Sequence, residues 1–241
     1  MQKRLSVAMA VCNGEKYLPC QIDSILSQLG PEDELVVSYD PSEDETLRVV
    51  TEYARKDGRV RVIMNDSPGV TGNFSSAIAA CSGDYVFLSD QDDRWLPGKV
   101  SGVMDCFSKT GADLVIHNGI HTDADLNPAG EPFFRIYRIG DGVLRNIIRP
   151  RMSGCCMAFS AEMKEKILPI PEIYGYDQWI ALICECCGHV EYLDEVMILH
   201  RLHGGNVTPR SSRPLLTVLR LRMKLVNNLC LRLMEIRWRK R

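Results

Sequence analysis

No apolar run approaches the roughly 18 residues that a membrane-spanning helix needs, so the 241-residue chain predicts no transmembrane segment. Its first residues, MQKRLSVAMAVCNG, join a basic start to a short apolar run. That pattern reads as a first strand rather than a secretory leader. Ten cysteines are present, but no two separated CxxC-like pairs with His or Cys partners, so the usual spacing of a zinc site is missing. Many of them sit inside apolar segments, where a thiol acts as a small hydrophobe. The expectation is reduced cysteines in a cytoplasmic protein. No repeat or low-complexity tract occurs. There is no basic patch interleaved with aromatics, and the body of the chain is acidic, which argues against a nucleic-acid partner.

Charge is uneven. The net value is −2, yet residues 213–241 hold nine Lys/Arg against one acid, Glu235, a local surplus of +8. The rest of the chain stands at −10.

Apolar strands alternate with helix-period segments over the first hundred or so residues. Strands are expected at 5–11, 34–38, 60–64, 85–88 and 113–117. Helices are expected between them, with Leu18, Ile22, Ile25, Leu26 and Leu29 on one face of the first. Asn13 is placed to cap that helix, and Ser42-x-x-Glu45 has the form of a capping box for the second. A helix over 71–81 closes at Gly83, and Pro97 stands where the next begins. This pattern predicts an α/β fold with a mostly parallel twisted sheet covered on both faces. Farther on, strands are expected at 152–159, 190–193 and 196–200, and a helix over 176–187. A last helix, 214–238, is expected to gather its leucines on one broad face and its Arg and Lys on the other. The expected division is a catalytic domain over 1–210 and a basic amphipathic helix over 211–241.

Ligands of such sheets bind at the carboxyl ends of the strands. The loops there are 10–14, 39–44 and 89–95, and the last two are acidic. In YVFLSDQDDRWLPGK an apolar strand runs straight into Asp90, Asp92 and Asp93. Ionised carboxylates so crowded either titrate high or hold a cation. A hard divalent ion such as Mg2+ or Mn2+ takes oxygen ligands of this kind, shared with substrate phosphates. The plainer alternative is a solvated loop whose aspartates cap the next helix, and Asp93 fits it well.

Five stretches in order, SVAMAVCNGEKYLPCQIDSILSQ, VVSYDPSEDETL, GNFSSAIAACSGDYVFLSDQDDRWLPGK, SGCCMAF, and YDQWIAL followed by HRLHGGNV, resemble the family 2 glycosyltransferases over about residues 4–208. The SDQDDRWLPGK and HRLHGGNV forms are similar to bacterial rhamnosyltransferase-like members acting on surface polysaccharides. The resemblance implies the nucleotide-sugar-binding fold called GT-A. It also implies an inverting, metal-dependent transfer from a UDP- or dTDP-linked sugar to a hydroxyl of a glycan or lipid-linked glycan. Asp90 and Asp92 fall on the Asp-x-Asp motif, with Asp92 on the metal and Asp90 on the ribose or metal shell. Asp40 matches the residue that reads the pyrimidine. Ala10, Asn13 and their neighbours to Glu15 would wrap the base. Asp177 matches the general base, and His203 a histidine that closes over the diphosphate and reaches the metal.

The second-strand loop departs from the family pattern. Tyr39 replaces an acid, Pro41 a glycine, and Cys12 a tyrosine. These changes leave open a non-catalytic binding or assembly subunit of the same fold. A nucleotidyltransferase fits poorly, because the Val11–Lys16 loop has one glycine and one lysine. Trp95 and Trp179 read as packing groups, with a sugar contact open to Trp179. His117 and His121 read as structural or exposed. The basic tail has two readings, an anionic membrane surface or packing on the domain or a second subunit of a homodimer.

Overall fold

The computed structural model describes residues 3–173, 175–204 and 214–239. Strand β1 (Leu5–Val11) leads through α1 (Leu18–Leu26) to β2 (Glu34–Tyr39), then through α2 (Thr46–Lys56) to β3 (Val60–Met64). Helix α3 (Val70–Ala80) carries the chain back across to β4 (Tyr85–Ser89). A two-residue strand β5 (Arg94–Trp95), α4 (Lys99–Thr110) and β6 (Leu114–Thr122) follow. Short helices α5 (Phe133–Tyr137) and α6 (Val143–Ile148) precede β7 (Met157–Ser160) and α7 (Ala161–Ile167). The last elements are α8 (Tyr176–Cys187), β8 (Val190–Arg201) and α9 (Leu215–Arg239).

Among the described residues, eight strands form one sheet in the order β3-β2-β1-β4-β7-β6-β8-β5. β1 pairs in parallel with β2 on one side and β4 on the other. β7 enters antiparallel between β4 and β6. β1 and β2 are almost wholly buried along their length, because helices cover both faces. The order reverses at β1: the chain moves outward to β3 and then returns to the far side of β1. The crevice outside the carboxyl ends of β1 and β4 is therefore the topological switch point of the sheet.

Several local expectations give way. Asn13 caps no helix: it lies in the left-handed region, with φ 50°, and its Oδ1 accepts the Glu43 N–H. Ser42 bridges the Asn13 N–H and the Asp40 carbonyl, so no capping box forms and Asp44 supports the first turn of α2. Strand β7 is shorter than expected because Gly154–Cys156 close a 3-10 turn before it. The two expected strands at 190–200 are one strand, whose pairing with β6 shifts register around Asn118. Trp179 is buried, its Nε1 donating to the Ile167 carbonyl at 2.9 Å, and so packs in the core with its ring polar group already engaged.

Helix α9 also differs. Leu225, Leu229 and Arg232 turn inward onto the domain, while Leu216, Leu219, Met223, Met234 and Trp238 are exposed among the basic residues of the outer face. Leucines and cations are not segregated, because a helix docked by one stripe leaves its remaining apolar positions outside. Arg232 fixes the docking. Its guanidinium donates to the carbonyls of Glu165 at 2.7 Å, Lys166 at 2.9 Å and Leu168, at the end of α7. A cation there satisfies carbonyls left without helical partners and suits the negative end of the helix dipole. Arg232→Ala is expected to cost about 2–3 kcal/mol, read as a lower urea midpoint together with faster proteolysis of α9.

Candidate active site

The β1 loop is built around backbone contacts. The side-chain amide of Gln91 clasps Cys12, accepting its N–H and donating to its carbonyl, both at 2.8 Å. Gln21, buried on α1, donates to Ser89 Oγ at 2.8 Å and the Asp90 carbonyl at 3.1 Å. Gly14 leaves room for Gln91, since a Cβ there would strike the amide. The turn after β4 is thus fastened to β1 by two glutamines whose roles are invisible to periodicity.

The altered second-strand loop is equally well held. Tyr39 is buried, and its hydroxyl accepts the Ser42 N–H at 3.0 Å from beneath the turn. Tyr39 therefore supports the loop in place of the missing acid. Asp40 lies at the carboxyl end of β2, where its carboxylate accepts from Asn65 Nδ2 and from the Gly69 N–H at 2.9 Å. Each oxygen keeps a lone pair, and the pair of bonds ties the 65–69 turn to the crevice. Ala10 is half-buried near the end of β1, in register with Ser38.

The carboxylates after β4 divide. Asp92 turns outward, and its Oδ2 lies 2.7 Å from His203 Nε2. The His203 ring sits 4.8 Å from that of Tyr17. Arg201 lies between the two halves of the site. Its Nε donates to the Asp92 carbonyl at 2.8 Å, its backbone N–H to Asp93 Oδ1 at 3.1 Å, and its guanidinium covers the Tyr17 ring at 4.6 Å. Asp93 points inward and is fully buried. It does not cap α4, which begins at Lys99 behind Gly98 with no side-chain cap. The short pairing of β5 with β8 draws the chain at Asp93 toward Arg201 and away from the helix.

Asp90 and Asp93 are both raised far above the usual carboxylate range. Burial is the main cause for each. Asp93 and then Asp92 add to the effect on Asp90, and Asp92 to that on Asp93. Without a cation the pair resists carrying two charges. That crowding, with Asp92 and His203 at the mouth, is a donor set suited to a divalent ion.

Asp177 occupies the first turn of α8, behind Gly175 in the left-handed conformation. Its Oδ1 accepts the Gln178 N–H at 2.7 Å. Burial pushes its pKa up to about 6, against the pull of backbone N–H groups. Its charge also acts on Asp90, so the two carboxylates lie within electrostatic reach of one another. Tyr176 stacks on Phe74 at 4.1 Å, and Gly154 admits its hydroxyl where a Cβ would collide. The structure thus gathers Asp90, Asp92, Asp177 and His203 at the switch point, with Asp40 and the Asn13 loop along its other edge. Of the HRLHGGNV stretch, residues 205–207 lie outside the described residues. Pattern reasoning passed over Gln21, Gln91, Cys155 and Arg201, and left His200 as a turn residue. Only their nearness to recognised motifs could have marked them.

The crevice can be set beside known proteins. A curated relative from Campylobacter jejuni, GalNAc(5)-diNAcBac-PP-undecaprenol beta-1,3-glucosyltransferase, is 33% identical over 103 residues, covering 42% of this chain and 33% of its own. The chain spans 66% and 33% of the length of the first two curated relatives it matches. Among solved structures, TarS 1-349 of S. aureus in complex with UDP-GlcNAc has a TM-score of 0.72 at 19% identity, covering 94% of this chain and 67% of that one. Mannosyltransferase PcManGT from Pyrobaculum calidifontis, in complex with GDP-Man and Mn2+, has a TM-score of 0.65 at 15% identity, covering 86% and 59%. At such identities the likeness is one of fold, and the fold is GT-A. The Glycosyl transferase family 2 profile matches residues 6–168, more than half of the sequence and both acidic loops, and the chain belongs to that family of glycosyltransferases.

Proposed function

We propose that the protein transfers a sugar, with inversion, from a UDP- or dTDP-linked donor to a hydroxyl of a glycan or lipid-linked glycan of a bacterial surface polysaccharide. The observation that carries the reading is Asp177. Burial raises the pKa of its carboxylate to about 6, and its charge reaches Asp90 in the turn after β4. A group so tuned is ionised at neutral pH yet basic enough to take a proton from an acceptor hydroxyl. A single base suits one displacement with inversion, which needs no second nucleophile. Asp90, Asp92 and His203 would hold Mg2+ or Mn2+, and the ion would offset charge growing on the leaving diphosphate. The backbone from Ala10 through Asn13 to Glu15 and the carboxylate of Asp40 border the nucleotide side. The Campylobacter relative, named for an undecaprenol-linked acceptor, supports the acceptor class. The Mn2+ and nucleotide sugars in the neighbours' complexes support the donor class.

The basic outer face of α9 favours contact with an anionic lipid surface, where a lipid-linked acceptor would be met. No described helix is long and apolar enough to cross a membrane. Leu219→Glu with Met223→Glu is expected to release the protein from anionic vesicles in sedimentation and to leave neutral vesicles unaffected. Loss of a dimer instead, seen by light scattering, would assign that face to a second copy.

Calorimetric titration of UDP and dTDP with and without Mn2+ tests the donor site. Metal-dependent binding of at least one is expected, and none with either would sink the proposal. Asp92→Ala should weaken metal-assisted binding about tenfold or more. Asp177→Ala should keep that binding and lose about 10²–10⁴ in turnover. Binding with no transfer or donor hydrolysis would leave a binding subunit.

Asp177 also gives a pH test. Turnover should fall as pH drops through about 6, where the base becomes protonated. The fold has the opposite preference. A carboxyl whose pKa is higher folded than unfolded costs no stability below its ordinary value, and the full cost appears above about 6. Asp177→Asn should therefore lower turnover by a similar factor and stabilise the protein at pH 7.5 by about 1–2 kcal/mol. The gain should vanish near pH 4, as read by thermal melts at the two pH values.

A further inference from the structure

Inside the Asp92–His203 mouth lies a second cluster. One oxygen each of Asp90 and Asp93, the Cys155 sulfur and a His200 ring nitrogen lie within 4.8 Å of one another. Asp93 and Cys155 are fully buried. Asp93 Oδ1 takes the Arg201 N–H, while its buried Oδ2 meets no N–H or O–H donor and the Cys155 thiol is the carboxylate's further contact. An ionised oxygen left so costs free energy that a bound cation would recover. The histidine is oriented from behind. His200 Nδ1 lies 3.2 Å from His121 Nδ1, which leaves Nε2 as the nitrogen to offer an ion, and His121 Nε2 lies 2.7 Å from the Tyr137 hydroxyl. Phe133 packs against both rings. Metal-binding histidines are characteristically held by such a hydrogen bond on their other nitrogen, which fixes tautomer and direction. Ser153 Oγ, 3.2 Å from the sulfur, gives Cys155 a similar support.

The donors are one nitrogen, one sulfur and two carboxylate oxygens. Hard Mg2+ has little affinity for a thiolate, whereas four donors of this kind match the tetrahedral preference of Zn2+ and ions like it. We infer that Asp90, Asp93, Cys155 and His200 form a second metal site, selective for a thiophilic divalent cation and separate from the Asp92–His203 mouth. The two sites share Asp90. Loading the inner one would draw that carboxylate away from the donor-side ion, so Zn2+ should antagonise Mn2+ in turnover. That consequence rests on the proposed transfer reaction, while the site itself does not.

Cobalt(II), added to the 241-residue chain, is the probe, because a thiolate bound to it gives a sulfur-to-metal charge-transfer band. One equivalent should bind with that band. Cys155→Ser should remove it. His200→Gln, at a less buried position, should weaken cobalt binding about tenfold or more, with thermal melts showing both variants folded. His203→Ala should keep the band. A wild-type spectrum without it overturns the inference. So does a band that survives Cys155→Ser, which then belongs to another thiol, or one lost in His203→Ala, which places the ion at the mouth. Nucleotide titration is independent of this readout, so a cobalt band without nucleotide binding would remove the proposed function and leave the inner site standing.

Discussion

Arg201 holds the turn from Asp90 to Asp93 against the end of β8, and the site follows from that one fastening. Its guanidinium takes the Asp92 carbonyl, its own N–H takes Asp93, and its flat face lies on Tyr17. Residues 108 positions apart are thereby locked together. With the turn fixed, Asp92 can only face outward to His203 and Asp93 only inward. Three negative charges that would repel one another in a free loop are sorted into two environments. A planar, permanently charged side chain suits this task, since it bonds a carbonyl and covers an aromatic face together.

The same turn is tied to β1 through Gln91 and Gln21, and β1 is tied to the second-strand loop through Asn13, Ser42 and Tyr39. These connections change the meaning of the departures at Tyr39 and Pro41. A phenol under the turn supplies an acceptor for a backbone N–H, so the loop keeps a defined shape without the acid the family pattern carries there. The loss is local chemistry, and the architecture of the crevice survives it.

Burial then does the electrostatic tuning. Asp177 sits at a helix N-terminus, which alone would keep it acidic. Desolvation outweighs that pull and leaves it near pH 6, in the range useful to a base at neutral pH. Asp90 and Asp93 are pushed further, mainly by burial, with Asp93 and Asp92 adding their charge at Asp90 and Asp92 at Asp93. The arrangement is costly, and a cation bound there would relieve it and so link the fold's stability to its occupant.

The alternation of strand and helix over the first hundred residues, the carboxylates at strand ends and the helix at Tyr176 were all legible, because each depends on patterns within a dozen residues. Asp90, Asp92, Asp177 and His203 could be named through ordered motifs. Which way each points could not, since direction depends on what lies across the sheet. The sequence made Asp93 look like a helix cap, and the pairing of β5 with β8 turned it into a buried partner of Arg201. The histidines and cysteines showed no metal spacing, because Cys155, His200 and the aspartates come from three separate segments that β7 and β8 bring together only after folding. Helix α9 shows the same division. Its periodicity fixed a helix, but only docking through Leu225, Leu229 and Arg232 decided which of its apolar residues would be covered. Local propensity follows from neighbours in the chain. Burial, pairing and charge sorting follow from neighbours in space, and the sheet order alone decides who those are.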